Sequence, residues 1–287
     1  MCTSLAHLLQ MKFISEINEP IVVAVARDRY LSPIHPFADG VHLPSVPAPR
    51  YGQDITYGCR ASAPQRQSVG DTVDVLKPKM EKLLGIFARA DTTGVARTLF
   101  SEFLRENRKG VEYFEDPRLT GLVSSHANME YFCSAALSAP NSPYKTPGRI
   151  RIHQALKDAD WNIRNLQVPM DLGVPAFNAG SQFFATQDYG NGLGLMINGV
   201  QHVYVIATAY GYDRERGQYQ ITLKFVLYDV VGLDDDDLRE YGAQSDGGFS
   251  FAQSVGITAW WQLQHQFAYP PLVTRVVLTR SYEAPAV

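Results

Sequence analysis

Residues 219 to 239, YQITLKFVLYDVVGLDDDDLR, place the tightest constraint on what this chain can fold into. Tyr219, Ile221, Leu223, Phe225 and Leu227 alternate with Gln220, Thr222 and Lys224, the period-two pattern of a half-buried β-strand. The next position on the apolar face is Asp229. A carboxylate that continues a buried face is costly unless it is hydrogen-bonded, paired or metal-bound. Asp234, Asp235, Asp236 and Asp237 follow within a few residues, and their mutual repulsion raises some of their pKa values unless a cation or an arginine compensates. Register and charge are in conflict here, which makes this stretch the candidate for chemistry.

The composition narrows the alternatives. Hydrophobic residues make up 45% of the 287 positions, enough for the core of one large or two ordinary domains and too many for a disordered chain. A net charge of -3 and the lack of any Lys/Arg run offer no phosphate-tracking surface, so nucleic acid is not an expected partner. No apolar run approaches the roughly 20 residues of a membrane helix, so no transmembrane segment is expected. Met1 to Gln10 lack a basic start, and Glu16 and Glu19 arrive too early for an apolar signal core. Synthesis in the cytoplasm without a signal peptide is the expectation. Cys2, Cys59 and Cys133 are widely spaced and form no CxxC pair, which argues against a disulfide framework and against structural zinc.

Three regions are read along the chain. Residues 1–75 are punctuated by Pro and Gly and predict irregular structure, with a short strand near Ile21 to Ala26. Residues 76–175 form a helical region, with helical spacing over 78–90, 94–107 and 117–137, a loop over 141–150 and a short helix over 151–161. Asp116-Pro117 provides an N-cap and first-turn pair for the third helix. Residues 176–287 form a β-rich region, with apolar segments at Val200 to Ala209, 219–229, 257–269 and 272–280, the third read as a helix or an additional strand. The expected class is α+β: a helical N-terminal half packed on a C-terminal antiparallel β-sheet or partly open barrel.

Several motifs are weak. The DYGNGLG run at 188–194 neither follows a strand nor opens a dinucleotide-binding helix, and is read as a turn or bulge. Counted from Asp234 or Asp235, a calcium hand lacks the glycine and the closing glutamate it needs. A looser Mg²⁺ or Ca²⁺ site on Asp234 and Asp237 fits crowded carboxylates, whereas a plainer reading makes the four aspartates a solvated turn that caps residues 237–241. His202 and His265 are the histidines of the β-rich region and the candidates for proton transfer there. Trp260 and Trp261 are assigned to core packing.

The segment Asp229-Val-Val-Gly-Leu-Asp-Asp-Asp-Asp-Leu238 resembles the pattern D-x-F-G-L-D-x-x-D-[IL] of an uncharacterised proteobacterial domain family. Members of that family sit behind spike-tip (PAAR) domains of type VI secretion systems. Trp260-Trp-Gln-Leu-Gln-His265 is similar to its W-[FY]-x-L-Q, and Pro271-Leu-Val-Thr274 to its P-F-x-T, with Val231 and Leu272 replacing phenylalanines. Tyr51 to Gly58, Ala96 to Phe103 and Gly192-Leu-Gly194 extend the likeness over roughly 50–285, with Asp235 and Asp236 outside the pattern and left to solvent. The resemblance implies an antibacterial toxin effector with a cognate immunity protein and a separate spike or PAAR-type carrier, delivered into the periplasm of a target bacterium.

A second resemblance, in layout, is to colicin M-type toxins, which hydrolyse a pyrophosphate linkage in a peptidoglycan lipid precursor. There a strand runs into an acidic turn followed by His and Arg. Here Tyr228-Asp229 holds the corresponding strand end and Arg239 lies ten residues beyond Asp229, while a histidine must come from His202 or His265. The expectation is therefore a cell-envelope hydrolase for a phosphodiester or pyrophosphate bond. In it Asp229 acts as base or metal ligand, Asp234 and Asp237 hold a cation, and Arg239 or His265 stabilises charge or moves a proton. The alternative is a non-catalytic binding or carrier-docking protein with a structural acidic turn.

Overall fold

The computed structural model describes residues 17, 19–27, 71–145, 151–166, 172–243 and 251–287. The expectation for 1–75 falls mostly outside them, as do Tyr51 to Gly58, Cys2 and Cys59. The described strands are β1 (Ile21–Arg27), β2 (Glu112–Phe114), β3 (His202–Asp213), β4 (Gln218–Val231) and β5 (Leu272–Pro285). They form one sheet in the order β1-β3-β4-β5-β2. The described helices are α1 (Val73–Phe87), α2 (Val95–Phe103), α3 (Pro117–Ser124), α4 (Ala127–Leu137), α5 (Ile152–Asp158), α6 (Leu193–Met196), α7 (Asp235–Tyr241) and α8 (Phe251–His265). The α+β class holds, with helices mostly in the N-terminal half and strands in the C-terminal half. Among the described residues, no helix is long and apolar enough to cross a membrane.

The strand signal is borne out in its register. Tyr219, Ile221, Leu223, Phe225 and Leu227 all point into the main core, which the helices cover. β3 and β4 form a long hairpin closed by Gly217, whose left-handed φ of 58° the turn requires. One correction applies to the sheet. It is mixed, because β2 runs parallel to β5 with Tyr113 opposite Val273. A three-residue strand that arrives through helices is free of the hairpin geometry that makes neighbouring strands antiparallel. Among the described residues the sheet is open, as expected, with β1 and β2 as its two edges.

The helical spacing is borne out with shifted ends. α1 begins at Val73, so Pro78 lies inside it and removes one backbone hydrogen bond. Burial of Met80, Leu83, Leu84 and Phe87 on one stripe outweighs that loss. The predicted helix 117–137 is two helices. The His126 ring accepts a hydrogen bond from the Asn128 N–H at 3.1 Å and so starts α4 anew. The segment at 257–269 resolves as a helix, α8, packed on α1 across the boundary between the helical and β-rich regions. The two helices approach closely at Gly256, where a Cβ would lie 2.6 Å from the Leu83 side chain. The DYGNGLG run is a turn and not a strand bulge: a 3₁₀ turn, Gln187–Tyr189, leads through Gly192 at φ 92° into α6.

Candidate active site at the end of the fourth strand

β4 carries Leu227, Asp229 and Val231 on its helix-covered face, so the alternation that buries the core also carries Asp229 inward, to 6% exposure. Its cross-strand neighbour Thr274 is fully buried. The Thr274 hydroxyl lies 2.9 Å from the Met196 carbonyl and 3.2 Å from the Asp229 carbonyl, which ties α6 to the strand end.

Beyond the strand the acidic turn is a helix cap. Asp234 Oδ1 accepts from the Asp237 N–H and Asp237 Oδ2 accepts from the Asp234 N–H, each at 2.9 Å, a reciprocal capping box that starts α7. Asp235 is not left to solvent: its carboxylate accepts a hydrogen bond from the Trp261 indole at 3.1 Å. Asp236 pairs with Arg239 at 2.6 Å on the exposed side of the helix. Gln264 grips the Leu233 backbone at both ends, accepting from its N–H at 3.1 Å and donating to its carbonyl at 2.9 Å. His265 Nε2 lies 2.7 Å from the same carbonyl, with its ring tilted over Trp261. The segments Asp229 to Leu238 and Trp260 to His265, far apart in sequence, are therefore two sides of one corner.

That corner walls a cavity of about 260 Å³. Asp229 and Asp237 both line it, with Tyr189, Tyr241, Phe87 and Trp260 as aromatic surfaces. Gln182, Asn198 and Gln201 add amides. Gly194 is what allows Tyr189 its place, since a Cβ there would stand 2.7 Å from the ring. Burial pushes the Asp237 carboxyl up to about 7, and the neighbouring Asp234 carboxylate adds to the rise by repulsion and by a shared hydrogen bond. Tyr241, one helical turn beyond Asp237, is pushed up to about 12, again mainly by burial. Trp260 is 3% exposed and packs edge-on against Phe100 and Phe103, and its indole N–H has no hydrogen-bond partner among the described residues.

Of the predicted site residues, the fold thus gathers Asp229 and Asp237 on one cavity, with Asp234 bonded to Asp237. Tyr228 cannot join them, because successive strand residues face opposite sides of a sheet. It sits in the apolar layer of the far face, where its hydroxyl accepts from Arg275 Nε at 3.3 Å. His202 is opposite Tyr228 in the β3–β4 register and shares that far face. Arg239 leaves its side chain 73% exposed on Asp236, and neither it nor His265 lines the cavity. The lining residues missed by sequence reasoning had signals. Tyr189 sits inside the glycine run, and Tyr241 follows Asp237 by four residues, one turn of the helix that Asp234 caps.

The expected Mg²⁺ or Ca²⁺ site finds an incomplete donor set. One oxygen of Asp234 and one of Asp237 already bind backbone N–H groups, and such cations take about six oxygen ligands. Among the described residues, no group of three or more His, Cys, Asp or Glu side chains is placed to hold a metal ion. Cys133 is buried, with its thiol pushed up to about 12 by burial, and offers no nucleophile. No family model matches the chain, and no curated protein or solved structure matches it either.

Proposed function

We propose that this chain is an antibacterial effector whose cavity at the end of β4 hydrolyses a component of the target-cell envelope. The observation that carries the chemistry is the pairing of Asp229 and Asp237 on one concave surface, with Asp237 holding a proton near neutral pH. In the hydrolysis, the Asp237 carboxyl gives its proton to the leaving oxygen as the bond to that oxygen breaks. Asp229 takes a proton from the water whose oxygen forms the new bond. Exchange with solvent then restores both groups, and the net change is addition of one water. The resemblance of Asp229 to Leu238 and of Trp260 to His265 to a secretion-associated family supports the effector role. That role requires a cognate immunity protein, a spike or PAAR-type carrier and delivery into the periplasm.

Expression directed to the periplasm and, separately, to the cytoplasm of a susceptible bacterium tests this. Killing is expected only from the periplasm. Asp237→Asn preserves the cap, because an amide oxygen still accepts the Asp234 N–H, and should reduce killing by about 100-fold or more. Full killing by both Asp237→Asn and Asp229→Asn would remove the site from consideration. A neighbouring open reading frame, co-expressed, is expected to suppress the effect.

The capping box and the Trp261–Asp235 contact favour a second reading, in which the acidic turn is wholly architectural and the chain is a binding or carrier-docking protein. A folded protein that kills from neither compartment selects it.

A further inference from the structure

Among the described residues, Phe184 is the most exposed large hydrophobic side chain, at 76%, and its neighbour Phe183 is 50% exposed. The two rings sit on a turn closed by Ser181 and Thr186. The Ser181 N–H donates to Thr186 Oγ1 at 3.0 Å, and the Thr186 N–H donates to the Ser181 carbonyl at 3.1 Å. The base of the turn is pinned by Asp188, which accepts the Ala179 N–H at 2.8 Å, and by the Ala90 N–H, which donates to the Gly190 carbonyl at 2.9 Å. Ala185 and Gln187 adopt left-handed φ of 46° and 51°, and a Cβ at Gly180 would lie 2.5 Å from the Thr186 carbonyl oxygen. The chain thus accepts backbone strain and still presents Phe184 outward, on a preorganised tip.

The backbone of that tip is satisfied from within. The Phe184 and Ala185 carbonyls accept from Arg89 Nη2 at 3.3 and 3.4 Å, and the Gln182 carbonyl accepts from Gln253 at 3.4 Å. The Phe184 N–H donates to Ser181 Oγ at 3.3 Å. An apolar ring on a backbone whose polar groups the protein itself satisfies is what a bilayer demands of anything that enters it, since hydrocarbon offers no hydrogen bonds. Water makes no such demand. A protein partner asks instead for a complementary surface of about 800 Å² on each side, which two rings on a narrow turn do not supply. Arg89, exposed at the base of the tip, carries the charge that lipid phosphates pair with. A net charge of -3 gives the chain no general attraction to an anionic surface, so the apolar tip supplies the affinity.

We propose that residues 181–186 are a membrane-docking tip, which inserts Phe184, with Phe183 beside it, into the interfacial layer of a bilayer. Gln182, the residue before the pair, lines the cavity at the end of β4, so docking holds that cavity at the membrane surface. Two side chains fall short of a permanent anchor, and the attachment is reversible. The docking does not depend on the hydrolytic reading above.

The full chain is sedimented with vesicles of phosphatidylcholine and with vesicles of phosphatidylcholine mixed with phosphatidylglycerol. Binding to both is expected, and Phe184→Ser should weaken it about ten-fold or more. The exposed position keeps the fold out of question, and circular dichroism of the variant checks that. Phe184→Trp reads insertion directly, because Trp161, Trp260 and Trp261 are all buried and a change on adding vesicles comes from the tip. Its emission should move to shorter wavelength with vesicles and become shielded from iodide. The proposal is overturned by a folded chain that binds neither vesicle, by binding only where phosphatidylglycerol is present, or by binding that Phe184→Ser leaves unchanged. Killing that depends on Asp237 in a protein that binds no vesicle removes the tip and keeps the hydrolysis. Vesicle binding lost in Phe184→Ser, from a protein that kills in neither compartment, keeps the tip and removes the hydrolysis.

Discussion

Asp237 concentrates the conflict that the acidic turn announces. Its carboxyl belongs to the cap of α7, yet burial and Asp234 raise it to about 7, against an ordinary value near 3.9 for an unfolded aspartate. Because the folded value is the higher one, the native state holds more protons than the unfolded chain between about pH 4 and 7, and stability must fall as pH rises through that window. Above it, the charged side chain is a standing cost. Asp237→Asn is therefore expected to leave stability unchanged below pH 4 and to increase it above pH 7. The gain is on the order of 2 kcal/mol, less than the shift alone implies because the residue is half-buried and solvent screens it. Thermal melts of both proteins across pH 3 to 9 would show it, and curves that stay parallel throughout would contradict it. Activity is expected to run the same way, falling as pH rises through about 7 as the proton donor is lost.

At the scale of elements, the corner between β4 and α7 depends on α8. Trp261 holds Asp235 and Gln264 holds the Leu233 backbone, so the helix that packs on α1 also sets where Asp237 lies relative to Asp229. Gln264→Ala leaves the buried Leu233 N–H without its side-chain partner and its carbonyl with His265 alone, which costs about 1–3 kcal/mol in denaturant unfolding. It should also reduce killing, although Gln264 lines no part of the cavity. A variant with full stability and lowered killing would point to a direct role for Gln264 instead. His265, a candidate proton shuttle by residue type, is a support for Leu233 by position.

Across the whole molecule, α1 of the helical region and α8 of the β-rich region share one continuous core, together with residues of every described strand face that the helices cover. One cooperative unfolding transition is expected, with circular dichroism and tryptophan fluorescence melting together; separated transitions would show that the regions are independent domains. The chain's own periodicities determined most of the elements. Alternation over 219–229 specified β4 and the inward direction of Asp229, helical spacing specified α1 and α2, and the Asp234–Asp237 spacing contained the capping box, because all of these depend on neighbours within a few residues. The tertiary structure alone decided that Asp229 and Asp237 share a cavity and that Tyr228 and His202 are excluded from it. It also brought Tyr189 and Trp260 to the same cavity, and made β2 join the sheet in parallel. Those outcomes depend on which distant segments pack together, and local pattern carries no record of that.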